Sequence, residues 1–443
     1  MKHGRMTRRD FLARVGVTAG AVALGGLTRA IGAADTAPAS SPTTGAARPP
    51  NIIFILTDDV GLPDIGCCGS DRFKTPRIDA LAAAGTRFER CFAMPLCGPS
   101  RCMLLTGRYP FRTGMIGNNS GGKIKPANEV MVPRMLKPAG YVTAQVGKWA
   151  QLPLQPSAFG FDEYLRFQAS GVYWRDDKKK DTYTVNGKTQ EIPEGKYMPD
   201  MMHDFLVDFI TRHKDRPFYV YYSMSHMHSK LVRTPDSAGG AEGGPAIYAD
   251  NIAYMDKLVG KLVDELDKLK LRERTIIIFT GDNGSAGVGA NTTVGGKKIS
   301  GRKGTMLEGG SRVPLVVCWP GMTPAGKVSK DLIDFSDFYP TLAELAGAEL
   351  PKGVTIDGRS FAPQLKGLAG KPREWVYVEL EGKRYVRSDR WKLTGDGEFF
   401  DMKEAPYKEI PVAADTTDAD ATAERKRLKE VLAGLVEKAG AKS

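Results

Sequence analysis

Asn51-Ile52-Ile53-Phe54-Ile55-Leu56-Thr57 is a continuous apolar run of strand length that stops on the two carboxylates of Asp58-Asp59. Apolar residues at successive rather than alternate positions belong to strands covered on both faces. Three more segments repeat the pattern. Residues 142–146 end at Gly147-Lys148-Trp149, residues 218–224 end at His226 and His228, and Thr275-Ile276-Ile277-Ile278-Phe279-Thr280 ends at Gly281-Asp282-Asn283-Gly284. Helical patterns lie between them. One is Pro76–Ala84, stopped by Gly85, and another is 248–271, with Ile252, Met255, Val259, Leu262, Leu266 and Leu269 on one face. Strands alternating with helices predict an α/β fold, a mostly parallel sheet with helices on both faces. Ligands bind beyond the carboxyl ends of such strands, so the polar clusters are expected to converge.

After about residue 350 the texture changes. Short strand-like runs at 375–380, 383–388 and 391–394 are separated by Gly and Asp turns. A helix over 423–438 then carries Leu428, Val431, Leu432, Leu435 and Val436 on one face. The expected organisation is a catalytic domain over 51–350 and a smaller antiparallel-sheet subdomain over 351–443.

A chain of 443 residues with 42% apolar and 26% charged residues is long and apolar enough for one large core and a smaller lobe, which excludes a disordered chain. The net charge is +12, of which the first 33 residues carry Lys2, Arg5, Arg8, Arg9, Arg14 and Arg29 against Asp10. The remainder is moderately basic, which suits either a polyanionic substrate or a surface of solvated lysines. No basic run interleaved with aromatics points to nucleic acid. Six cysteines at 67, 68, 91, 97, 102 and 318 are too irregularly spaced for a disulfide scaffold or a zinc site, so mostly reduced thiols are expected. Thr7-Arg8-Arg9-Asp10-Phe11-Leu12 is a twin-arginine pattern, followed by an apolar run over 15–27 too short to span a bilayer and by small residues at Gly32-Ala33-Ala34. These predict a cleaved export signal over 1–34 and a Pro/Ala/Ser/Thr linker over 35–50, with an uncleaved anchor as the alternative. The expected location is periplasmic or exported, with the twin-arginine (Tat) export machinery as partner.

Cys97-Gly98-Pro99-Ser100-Arg101-Cys102-Met103-Leu104-Leu105-Thr106-Gly107-Arg108 carries the chemistry. Pro99 fits the first turn of a helix, where its fixed φ suits the backbone and its missing N–H leaves nothing unpaired. A group at position 97 then faces the positive end of a helix dipole beside a guanidinium that cannot lose its charge. That is a place for an anion.

The string matches C-x-P-S-R-x-x-L-x-T-G-R at every fixed position, and the chain resembles the type I sulfatases of the alkaline phosphatase superfamily. The resemblance runs over roughly residues 50–405. It includes the Gly301–Pro314 stretch with Lys303, Glu308 and Arg312, as well as Asp357-Gly358-Arg359-Ser360 and Asp389-Arg390-Trp391-Lys392. It implies an alkaline-phosphatase-like fold and hydrolysis of a sulfate monoester, most readily that of a sulfated carbohydrate or small molecule. It also implies conversion of Cys97 by a formylglycine-generating enzyme to formylglycine, whose hydrate is the nucleophile. If export carries folded protein, that conversion precedes transport.

By the same resemblance Asp58, Asp59, Asp282, Asn283 and the modified Cys97 hold a divalent cation. The four Asp and Asn side chains offer only oxygen, which favours Ca²⁺, with Mg²⁺ as the alternative. Arg101 holds the nucleophile, Lys148 and Lys303 bind sulfate oxygens, and Glu308 and Arg312 are scaffold. His226 protonates the leaving alcohol, with His228 two residues on as the competing choice. One position departs from the family: Gly-Lys-Trp-His is usual, but here Ala150 follows Trp149, and the next residue, Gln151, can hydrogen-bond but cannot act as a base at neutral pH. The alternatives are a phosphonate or phosphate monoester hydrolase on the same scaffold, and an inactive homologue that only binds sulfated polysaccharide.

Overall fold

The structure, a computed structural model, describes residues 48–149, 151–167, 170–175, 181–239 and 243–440. The expected export signal, most of the linker and Ala150 lie outside these residues. Residues Arg48–Ser443 form one compact unit. Its large sheet contains β1 (Asn51–Thr57), β2 (Thr86–Phe92), β3 (Val142–Lys148), β4 (Glu163–Phe167), β5 (Thr182–Val185), β6 (Lys188–Glu191), β7 (Phe218–Ser223) and β8 (Thr275–Gly281). A small hairpin of β9 (Thr293–Val294) and β10 (Lys297–Lys298) follows, and β11 (Arg312–Cys318) and β12 (Lys327–Asp334) complete the large sheet.

The strand order is β12-β2-β11-β8-β1-β7-β3-β4-β5-β6. The stretch β8-β1-β7-β3-β4 is parallel throughout. Beyond it, β11 runs antiparallel to both β8 and β2, and β5 and β6 form an antiparallel edge. The expectation of a mostly parallel sheet holds at the centre, and the antiparallel margins make the whole sheet mixed.

Two-sided burial explains the unbroken apolar strands. Ile52, Phe54 and Leu56 pack into a core with Phe338 and Leu342, whereas Ile53 and Ile55 point into a second core with Leu258, Val259 and Leu262. The helix Pro76–Ala84 spans the residues its pattern predicts. The long helix expected over 248–271 is Pro245–Lys268 instead. It begins earlier because a proline in the first turn loses no hydrogen bond.

A second sheet follows, in which β13 (Val376–Leu380), β14 (Lys383–Arg387), β15 (Trp391–Thr394), β16 (Phe399–Asp401) and β17 (Ile410–Pro411) pair in sequence order, all antiparallel. The helix Ala419–Gly440 buries Leu428, Leu432 and Leu435 against it. Val436 was expected on the same face, but it is 42% exposed and borders an open cavity beside β14.

Glu308 ties the two sheets together. Its Oε1 lies 2.7 Å from Arg387 Nε on β14 and its Oε2 3.2 Å from Arg312 Nη1 on β11, all three side chains being buried or nearly so. Removing one partner of a buried ion pair strands the others without compensation. Glu308→Ala should therefore lower the unfolding free energy by about 3–5 kcal/mol, read from urea denaturation at neutral pH. Burial alone would raise the Glu308 carboxyl, but Arg387 and Arg312 outweigh it and hold it below the ordinary range. Its stabilisation is thus complete above the unfolded-state value of about 4.3 and is lost as pH falls through the lower native one. The deficit of the variant should shrink in the same acid window.

Candidate active site

The carboxyl ends of the parallel strands deliver the charged groups. Asp58 and Asp59 leave β1, Lys148 ends β3, Ser223 ends β7, and Asp282 and Asn283 follow β8. Asp59 takes a left-handed backbone with φ of 61°, and its N–H donates to Asp282 Oδ1 at 3.1 Å. That bond fixes the two acidic loops to each other. Gly284 lets the second loop approach the Glu308–Ser311 turn, because a Cβ there would collide with the carbonyl oxygen of Gly309.

Cys97 opens the helix Cys97–Thr106, every residue of which is buried. Its Sγ lies 3.4 Å from Asp58 Oδ1 and 3.8 Å from Asp59 Oδ1. The N–H of Gly98, which has no partner within the first turn of the helix, donates to Asn118 Oδ1 at 2.9 Å. Gly107 ends the helix in the left-handed conformation. One turn in, Arg101 donates from Nε to Asp282 Oδ2 at 2.9 Å and from Nη1 to Ser223 Oγ and Tyr221 Oη. Lys148 Nζ sits 2.6 Å from Asp58 Oδ2 and Lys303 Nζ 2.7 Å from Asp59 Oδ2. Asp58, Asp59, Cys97, Arg101, Lys148, Asp282, Asn283 and Lys303 therefore meet in one place.

The electrostatics follow from this packing. Burial and then Asp282 push the Cys97 thiol well above its ordinary range, so the unmodified side chain is a neutral thiol and a poor nucleophile. For Lys148 burial pulls downward, but Asp58 and the neighbouring anions outweigh it and the ammonium is stabilised. Lys303 follows the same logic and is the one of the three cations that reaches solvent, with 20% of its side chain exposed. Three carboxylates face three cations, so the cluster is close to neutral by itself.

The residues fit a hard divalent cation. The ligand atoms of Asp58, Asp59, Cys97 and Asp282 all lie within 4.8 Å of one another. Asn283 donates from Nδ2 to Asp59 Oδ1 at 2.9 Å, while its Oδ1 is buried without any hydrogen-bond partner. A buried amide oxygen left bare costs free energy unless something positive meets it. Oxygen donors from Asp and Asn are the set that calcium or magnesium takes.

His226 departs from the expectation. Its backbone carbonyl accepts the Asp58 N–H at 2.6 Å, but its ring is fully buried and lies among Tyr173, Tyr197 and Tyr254. Nε2 faces the Tyr197 hydroxyl at 3.4 Å and Nδ1 has no partner, so neither nitrogen bonds a carboxylate of the cluster. Burial pushes this imidazole down to about 3, and at neutral pH it carries no ionisable proton to give. His228 is half-buried, its Nδ1 2.7 Å from the Ser229 carbonyl oxygen. Of the two histidines it is the one that solvent can reach.

Three polar residues escaped the sequence reading. Asp64 accepts from Gly61 N–H at 3.0 Å, Ser285 Oγ at 2.6 Å and Tyr248 Oη at 2.9 Å, tying the loop after β1 to the loop after β8. Burial nevertheless pushes it up to about 6. Its only signal was a third acidic residue soon after Asp58-Asp59. Ser223 was readable as a polar residue ending an aromatic strand, and Asn118 had no signal at all. Gln151 has a buried Oε1 without a partner and packs close to Gly98.

Comparison with known proteins agrees with this geometry. The family model described as Sulfatase matches residues 50–348, and that described as N-sulphoglucosamine sulphohydrolase, C-terminal, matches residues 301–437. Arylsulfatase A of Homo sapiens is 33% identical over 78% of this chain and 75% of its own length. The N-acetylgalactosamine-6-sulfatase of Canis lupus familiaris is also 33% identical, over 73% of this chain and 67% of its own. Among solved structures, Ps i-CgsB in complex with k-i-k-neocarrahexaose superposes with a TM-score of 0.77 at 27% identity, covering 88% of this chain and 93% of that one. A parallel sheet that gathers acidic loops, two lysines and the Cys97 helix at one edge, matched across most of its length by these proteins, makes the chain a member of the sulfatase family, a sulfuric ester hydrolase.

Proposed function

We propose that the chain hydrolyses a sulfate monoester of a carbohydrate, with Cys97 converted to formylglycine and a divalent cation, calcium in preference to magnesium, held by Asp58, Asp59, Asp282 and Asn283. The observation that carries this reading is the single buried cluster in which Cys97 Sγ, three carboxylates and two ammonium groups lie in contact. Formylglycine supplies a hydrated aldehyde as the oxygen nucleophile, and the cation supplies positive charge for a sulfate oxygen. The protein side chains do the rest. Lys148 and Lys303 take sulfate oxygens, and each moves its charge from a carboxylate to the ester as substrate enters. Arg101 keeps Asp282 oriented and, with the helix N-terminus, favours negative charge at position 97. His228 gives the leaving alcohol its proton, in place of His226.

The sugar reading is supported by the similarity to an N-acetylgalactosamine-6-sulfatase and to a protein solved with k-i-k-neocarrahexaose. Export by the twin-arginine route is supported by Arg8-Arg9 and the short apolar run after them. Among the described residues no helix is long and apolar enough to cross a membrane.

Turnover tests the reading directly. Protein made with a formylglycine-generating enzyme should hydrolyse sulfate esters much faster than phosphate esters of the same alcohol, and Cys97→Ala should be inactive. Activity from protein whose Cys97 is shown by mass spectrometry to be wholly unmodified would overturn it. Asn283→Ala should weaken calcium binding by about tenfold or more in titration calorimetry, since it removes one ligand oxygen without disturbing the Arg101–Asp282 pair. Unchanged calcium affinity would put the cation elsewhere. His228→Ala should slow an alkyl or sugar sulfate by about 10²–10⁴ while sparing a nitrophenyl sulfate, whose leaving group needs no proton. If His226→Ala shows that pattern and His228→Ala does not, the assignment of the acid reverses.

A further inference from the structure

A cavity of about 660 Å³ lies beside the segment that carries Lys303, bounded by Gly304 and Met306 on one side and by Lys383, Arg384, Asp396 and Glu398 on the other. Its volume falls within the range of about 300–1,000 Å³ typical of small-molecule sites. Both walls are fastened to the residues that flank Cys97. Gly304 directly follows Lys303, and its N–H donates to the carbonyl oxygen of Pro95 at 2.9 Å, two residues before Cys97. On the other side, the turn joining β13 to β14 gives the Glu381 N–H to the Ile116 carbonyl at 3.0 Å. Two residues further on, Asn118 holds the N–H of Gly98. Both walls of the cavity are thus joined, by covalent and hydrogen-bonded connections, to segments that carry or flank the Cys97 cluster.

Its lining has a mixed chemistry. On the same two strands Arg387 and Lys392 are spent on Glu308 and Glu409. Lys383 and Arg384 form no ion pair among the described residues, although Arg384 stands opposite Glu379 across the hairpin. Asp396 and Glu398 offer carboxylate oxygens to hydroxyl donors, and the apolar surface of Val436 is left 42% exposed. Cations, hydroxyl acceptors and an apolar strip together suit a sugar ring bearing an acidic group and suit a purely apolar alcohol poorly.

We propose that this cavity is a second subsite, which binds the sugar residue next to the sulfated one through its hydroxyl groups and through a sulfate or carboxylate held by Lys383 and Arg384. The enzyme's substrate is then an anionic oligosaccharide rather than a monosaccharide. This rests on the carbohydrate sulfatase reading above and extends it to chain length.

The test uses the full chain carrying formylglycine, with 4-nitrocatechol sulfate, a sulfated monosaccharide and sulfated hexasaccharides of the carrageenan and chondroitin types as probes. The Lys383→Ala/Arg384→Ala double variant should raise KM at least about tenfold on a hexasaccharide that the native enzyme turns over, with kcat little changed. Its kcat/KM on the aryl sulfate should stay at the native value. Asp396→Trp, which fills the cavity from an exposed turn, should reproduce the pattern. Equal losses on aryl and oligosaccharide substrates, or no loss on either, would overturn the subsite while leaving the sulfatase reading intact. Turnover of the aryl sulfate with none of any glycan would overturn both the carbohydrate reading and the subsite.

Discussion

Three carboxylates brought within contact distance in a dry site would repel one another strongly, and the architecture around them is arranged to prevent that. Arg101, Lys148 and Lys303 come from three separate parts of the chain, each answering one acid. The cluster is therefore balanced by groups whose own charges need it, since an ammonium at zero exposure, such as that of Lys148, is tolerable only beside an anion. Stability and function draw on the same interactions. A dication held by these carboxylates would give the arrangement the surplus positive charge that an anionic ester needs, and the proposed exchange by the lysines of a carboxylate partner for a sulfate oxygen would then leave no charge unpaired.

The parallel centre of the sheet makes the balance possible by ending β1, β3, β7 and β8 on one side of the molecule. Short hydrogen bonds then set the spacing. Asp282 receives the Asp59 N–H and the Arg101 guanidinium together, and Asp64 collects donors from both acidic loops. Glu308 performs the corresponding task at the joint with the second sheet, so the segment holding Lys303 is braced on the side of β14 as well as on the side of Cys97.

Much of this was legible in residue order, for physical reasons that also explain the omissions. Strands buried on both faces must be apolar throughout, and so β1, β3, β7 and β8 declare themselves and their polar ends. β2 and β12 sit at the margin of the sheet and carry Arg87, Glu89, Lys327 and Lys330, so their patterns resemble those of surface segments. β11 was hidden because its first residue, Arg312, reads as part of a glycine-rich motif, while its charge is in fact consumed by Glu308. The two histidines illustrate a deeper limit. His226 and His228 are two residues apart after the same strand, and composition cannot say which ring the chain turns into an aromatic enclosure. Asn118 was invisible because its role is to satisfy a backbone N–H, a demand that exists only once the helix has folded beside it.

The enclosure of the Cys97 helix has a consequence for the order of events in the life of the chain. With Cys97 only 1% exposed and the whole of Cys97–Thr106 buried, no catalyst of protein size can grip this peptide once the sheet has closed over it. Any enzymatic conversion of the thiol is therefore confined to the interval between synthesis and folding. If activity requires that conversion, as proposed above, the fraction of active molecules is fixed by a race between two rates, and a variant that folds faster would emerge from it as a better-folded population with fewer working sites.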